Sequence, residues 1–77
     1  MPVPSDAIDQ QLMICAGNRW QKVAMIIVRA HLTLEPDYPE LTYEAIAARL
    51  YTLVAANNLE GAGELTRWRH SEVRLPQ

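Results

Sequence analysis

The stretch LEGAGELTRWRHSEVRLP, Leu59 to Pro76, decides the reading of this chain, because the hydrophobic period changes inside it. Within SEVRL, Ser71, Val73 and Leu75 fall on one side and Glu72 and Arg74 on the other. That alternation is the mark of a half-buried strand, and Pro76 ends it. Two glycines in LEGAGEL, Gly61 and Gly63, stand in a strand-like context. The stretch is therefore predicted to form a β-hairpin over about 59–75, with Trp68 at or near a connection between Gly63 and His70.

Upstream the period is helical. Ser5 is read as an N-cap, Asp6 and Asp9 suit the positive end of a helix, and Ile8, Leu12 and Cys15 form a stripe that stops at Gly17. A first helix is predicted over about 6–16. Asn18, with Gln21 as capping-box partner, predicts a second over about 19–31. Its face runs through Trp20, Val23, Ala24, Ile27, Val28 and His31, and Met25 and Ile26 widen it, which implies burial on more than one side. The segment LTLEPDYPE, with two prolines and three acids, reads as a long exposed connection. Thr42 caps a third helix over about 43–57, with Leu41 and Ile46 at hydrophobic-staple positions and a stripe through Ala47, Leu50, Leu53 and Val54. Asn57 and Asn58 suit a left-handed C-cap, after which Leu59 returns to the core. The predicted fold is mainly α with a small β-hairpin: one domain, 1–77, of three helices followed by a C-terminal two-stranded hairpin, the order of a winged-helix domain.

Composition bounds the rest. A chain of 77 residues buries only about 60% of its unfolded surface, so help from a partner is expected. Its 49% hydrophobic content exceeds what so small an interior needs, which leaves apolar surface for another molecule. The single cysteine, Cys15, excludes an internal disulfide and reads as a small buried hydrophobe. The start, MPVPSDAID, lacks the basic and apolar regions of a secretory signal, and the longest apolar run, VAMIIV, is far too short to span a bilayer. The chain reads as cytoplasmic and soluble, with no membrane partner.

The net charge of −2 is arranged in blocks. Arg19, Lys22 and Arg29 share a segment without acids; Glu35, Asp37, Glu40 and Glu44 share one without bases; Arg67, Arg69 and Arg74 face Glu72 alone. Blocks of opposite sign dock within or between chains, whereas a nucleic-acid binder is usually basic overall.

The pattern Leu53-Val54, Leu59-Glu60, Gly63-Glu64-Leu65 and WRHSEVRLP, together with RWQKVAMII from Arg19 to Ile27, resembles a bacterial family catalogued only as a domain of unknown function. Members usually form the C-terminal part of longer proteins, behind another uncharacterised domain. The acidic connection around Pro36 to Pro39 is longer than in that pattern, and these residues hold no counterpart of the preceding domain. The resemblance supports the fold and carries no catalytic residues.

Candidate sites follow from side-chain chemistry. A nucleic-acid surface would use Arg49 on the third helix and Arg67, Arg69 and Arg74 on the hairpin, with Trp68 stacking on a base. The third helix, however, turns outward only one arginine among Glu44, Ala45, Ala48, Tyr51, Thr52, Ala55 and Ala56, and Glu44 with the acidic connection before it would repel phosphate. A tryptophan among arginines also makes intramolecular cation–π contacts, and Arg74 can pair across the sheet. His31 and His70 lack a nucleophile or carboxylate at a useful spacing, two histidines and one cysteine do not make a metal site, and Gly61 to Gly63 follow a helix rather than a strand, the wrong context for a phosphate loop. No catalytic, cofactor or metal residue is assigned. The expectation is a non-enzymatic protein-interaction or self-association module, pairing with itself as a homodimer or with another protein. Its contacts are expected from Tyr51, Arg67, Trp68, Arg69 and His70, beside the alanine-rich outer face of the third helix, where another helix can approach closely. A winged-helix nucleic-acid-binding transcriptional regulator is the disfavoured alternative.

Overall fold

The computed structural model describes residues 3–77. Three helices, α1 (Ser5–Ala16), α2 (Val23–Leu34) and α3 (Tyr43–Ala55), pack on one another and on a small antiparallel sheet of β1 (Gln21–Lys22), β2 (Glu60–Ala62) and β3 (Glu72–Arg74). The sheet order is β1-β3-β2, so the last strand lies in the middle. The expected arrangement of helices followed by a C-terminal hairpin is present, with a third strand added at its edge.

That added strand corrects the start of the second helix. Gln21 and Lys22 pair with Val73 and Glu72, and the Val23 amide donates to the Ser71 carbonyl at 3.0 Å. Asn18 therefore caps nothing; α2 begins four residues later than predicted, and β3 takes up backbone groups that a helix start would otherwise leave unpaired. The Gln21 side chain serves the preceding helix instead, its amide donating to the carbonyls of Cys15 and Ala16. Gly17, at φ 64°, ends α1 as expected, and its carbonyl accepts from the Leu75 amide at 2.7 Å.

Two boundaries shift for proline reasons. Ser5 is the first helical residue rather than the cap, because Pro4 occupies the extended cap position, and its carbonyl accepts from Ala7 at 3.1 Å. At the far end of α2 the helix runs to Leu34, beyond the predicted His31; Glu35 caps it, its amide donating to His31 O at 2.8 Å, and Pro36, which has no amide hydrogen, comes next. The connection is thus shorter and more ordered than LTLEPDYPE suggested. Tyr38 donates to Leu34 O at 2.9 Å, Leu41 donates to Tyr38 O at 3.0 Å, and Leu34 and Leu41 are buried.

Helix α3 starts as read: the Thr42 hydroxyl accepts from the Ala45 amide at 3.1 Å, and Leu41 and Ile46 are both buried. It stops at Ala55, two residues short of the predicted end; Asn57 takes the left-handed conformation at φ 63°. Asn58 and Leu59 both donate to Leu53 O, which returns Leu59 to the core. That core joins Leu12, Ile26, Ile27, Ile46, Leu50, Leu59 and Val73, drawing on all three helices and the sheet. The buried side of α2 is Val23, Ile26, Ile27, Ala30 and Leu34, a face rotated from the predicted one.

Candidate protein-interaction surface

The hairpin connection is a folded turn rather than a loose tip. Arg67 N donates to Glu64 O at 2.9 Å, His70 N to Arg67 O at 2.9 Å, and the Ser71 hydroxyl to the same Arg67 carbonyl at 2.9 Å. Trp68–His70 form one 3₁₀ turn between them. Gly63 makes the turn possible: it sits at φ 82°, and a Cβ there would meet the His70 carbonyl at 2.9 Å.

The predicted contact residues divide within this turn. Trp68 folds inward, half-buried against the core, and its indole N–H donates to the Tyr51 hydroxyl at 2.8 Å. Tyr51 and Trp68 thus meet, as a pair that satisfies itself across α3 and the hairpin. Arg67, Arg69 and His70 are exposed. The cation–π contact expected at Trp68 belongs to the other tryptophan: the Arg74 guanidinium lies 4.4 Å from the centroid of Trp20. Arg74 also pairs with Glu60, its cross-strand neighbour, at 3.3 Å.

Two of the four arginines considered for nucleic acid are therefore engaged inside the fold. Besides Arg74, Arg49 grips Asp9 of α1 with both ends of its fork, at 2.9 Å and 2.8 Å. That hydrogen bond, reinforced by the charges of Asp9 and Asp6, pushes the guanidinium further up from its ordinary value. The outward alanines of α3, Ala45, Ala48 and Ala55, are exposed as expected, as is Ala56 at its C-cap.

An unpartnered apolar row lies on α2, where no contact was predicted. Met25, Val28 and Leu32 are 46%, 41% and 67% exposed. Their spacing of three and four residues puts them in one row on the side opposite Ile26, Ile27 and Ala30. The expectation that Met25 is buried along with Ile26 is corrected: VAMIIV is apolar all round, yet the domain has only enough elements to cover one side of it. Beside the row, Lys22, Ala24, Met25, Val28, Arg29 and Arg69 enclose an open groove of about 480 Å³. Two basic blocks far apart in sequence converge there, because Val23 N bonded to Ser71 O brings the hairpin turn against the start of α2. Arg69 is the one predicted contact residue that lines this groove.

The remaining reactive types serve the fold. His31 Nε2 lies 3.0 Å from the Leu41 carbonyl, and its ring meets Tyr43 edge-on at 4.6 Å, so it clasps the α2–α3 connection. Cys15 is half-buried, and burial pushes its thiol up from the ordinary value despite the opposing charge of Arg29. Among the described residues no three His, Cys, Asp or Glu side chains converge as metal ligands, and no helix is long and apolar enough to cross a membrane. No family model, curated protein or solved structure matches the chain.

Proposed function

We propose that this chain is a small, non-enzymatic protein-interaction module of winged-helix order, acting in the cytoplasm, whose contact surface is the outward face of α2 with Arg69 of the hairpin turn. The observation that carries this reading is the row Met25, Val28 and Leu32 left open on a helix whose other side already fills the core. A single exposed leucine is ordinary; three large apolar side chains in one row, rimmed by Lys22, Arg29 and Arg69, have the anatomy of an interface with an apolar centre and a polar edge. The resemblance to a bacterial domain that normally accompanies another domain is in keeping with such a role.

A nucleic-acid-binding regulator stands as the second reading, favoured by the convergence of Lys22, Arg29 and Arg69 near Arg67. Against it stand the net charge of −2 and the engagement of Arg49 and Arg74 within the fold. It predicts low-salt binding of an oligonucleotide, read by fluorescence anisotropy, that Arg67→Ala with Arg69→Ala abolishes.

The experiment for the interaction reading places a photo-crosslinking residue at Val28 in the full chain in living bacteria. A discrete protein adduct, to this chain or another, is expected on irradiation. Absence of any adduct from Val28 at normal expression would contradict the assignment of this face.

A further inference from the structure

The outer row of α2 is not only apolar; it is electrically polarised from end to end. At its N-terminal end stand Lys22 and Arg69, both lining the groove. At its C-terminal end, one helical turn beyond Leu32, stand Glu35 and then Asp37, both exposed. Met25, Val28, Leu32 and Glu35 follow one another at intervals of three, four and three, so the acid continues the apolar row over about 15 Å of helix.

From this pattern we infer that the occupant of the α2 face is a second copy of the same face, packed antiparallel across a two-fold axis that passes between Val28 and Arg29. The inference rests on the interaction reading above and specifies its partner. Under that axis Met25 meets the second copy's Leu32, and Val28 meets the stem of the second copy's Arg29. Lys22, with Arg69 beside it, faces the second copy's Glu35, with Asp37 beyond. An isologous contact repeats every such pairing twice, so the basic and acidic ends are both satisfied. A parallel pairing would instead bring Lys22 and Arg69 against their own copies. Arg29 does not obstruct the centre, because its Nη1 turns back toward Gln21 Oε1 at 3.3 Å, which sends the two guanidinium heads to opposite ends of the contact. A row this short falls below the roughly 800 Å² per partner of a standard interface, so the dimer is weak, with a dissociation constant on the order of 10–100 µM.

The test is sedimentation equilibrium of the full chain between about 1 µM and about 1 mM. A reversible monomer–dimer equilibrium in that range is expected. Lys22→Glu, which sets two acids against each other at both ends, is expected to weaken it about tenfold or more. Glu35→Lys added to Lys22→Glu exchanges the two ends and restores the dimer. Circular dichroism of each variant shows that the fold is retained; both sites are exposed and neither substitution touches the core. A monomer throughout the range overturns the inference, as does a dimer indifferent to Lys22→Glu or not recovered by the double change. If the chain is monomeric while Val28 crosslinks a different protein, the homodimer fails and the interaction face stands; if it is monomeric and Val28 crosslinks nothing, both fail.

Discussion

Helices α2 and α3 pack against each other in the core, yet they turn opposite kinds of outer face to solvent. On α3, apart from Tyr43 at its first turn, whose ring meets His31, the outward residues are small or polar: Glu44, Ala45, Ala48, Thr52 and Ala55. On α2 they include Met25, Val28 and Leu32. The helices also begin differently. A side chain starts α3, where Thr42 accepts from Ala45, whereas α2 grows directly out of a strand with no side-chain cap. One helix is defined by its own sequence; the other depends on residues some fifty positions away and carries apolar surface beyond what its own chain can cover. On the reading proposed above that surplus marks the contact surface, and small alanines on α3 do not compete with it: burying an apolar side chain as large as leucine or methionine yields about 1.5–3 kcal/mol, and alanine far less.

The largest expected effect sharpens the contrast within α2 itself. Ile27→Ala, at a fully buried position, should cost about 2–5 kcal/mol of stability. Leu32→Ala at low protein concentration should stay within about 0.5 kcal/mol. Urea denaturation of both variants as dilute monomers checks this, and equal losses would mean that both sides of α2 are core. The next effect concerns how each helix starts. Thr42→Ala should destabilise by about 1 kcal/mol because an amide of α3 loses its acceptor. Lys22→Ala removes no cap and should leave monomer stability near that of the parent.

The difference between the helices also explains what the sequence made legible. α3, its Thr42 cap, the Asn57 turn and the alternating strand Ser71 to Leu75 could be read locally, since each rests on residues a few positions apart. β1 could not: two residues carry no period, and Gln21-Lys22 become a strand only because Val73 and Glu72 lie beside them. The same pairing displaced the start of α2, and with it the face of that helix assigned to the core. Within VAMIIV every rotation offers an apolar side, so periodicity could not choose which side is buried. Of the expected contacts, Arg69 lies at the surface proposed here, while Tyr51 and Trp68 bind each other. The excess of apolar residues for so small a chain was the available signal for Met25, Val28 and Leu32, but it does not say where on the fold the excess emerges.

A smaller effect probes the sheet that holds the start of α2. The Gln77 amide donates to Glu60 at 2.8 Å, and together with the charge of Arg74 it holds the Glu60 carboxyl below its ordinary value. Because the folded form is the stronger acid, this contribution is present above the ordinary carboxylate range and is lost as pH falls through and below about 4.5. Urea midpoints of the parent and of Glu60→Gln should therefore differ near neutral pH and converge once the pH is low enough to protonate the Glu60 carboxyl in the folded chain. A gap that persists unchanged in acid would mean that Glu60 acts by packing rather than by charge.

The claim that the open face of α2, and not that of α3, is the contact surface is tested most directly by placing the same charge on each. Sedimentation equilibrium at high concentration would compare Leu32→Asp on α2 with Ala48→Asp on α3, two exposed positions on neighbouring helices. Loss of the dimer in Leu32→Asp with a parent-like equilibrium in Ala48→Asp is the result expected here; a dimer that survives Leu32→Asp and is lost in Ala48→Asp would contradict it.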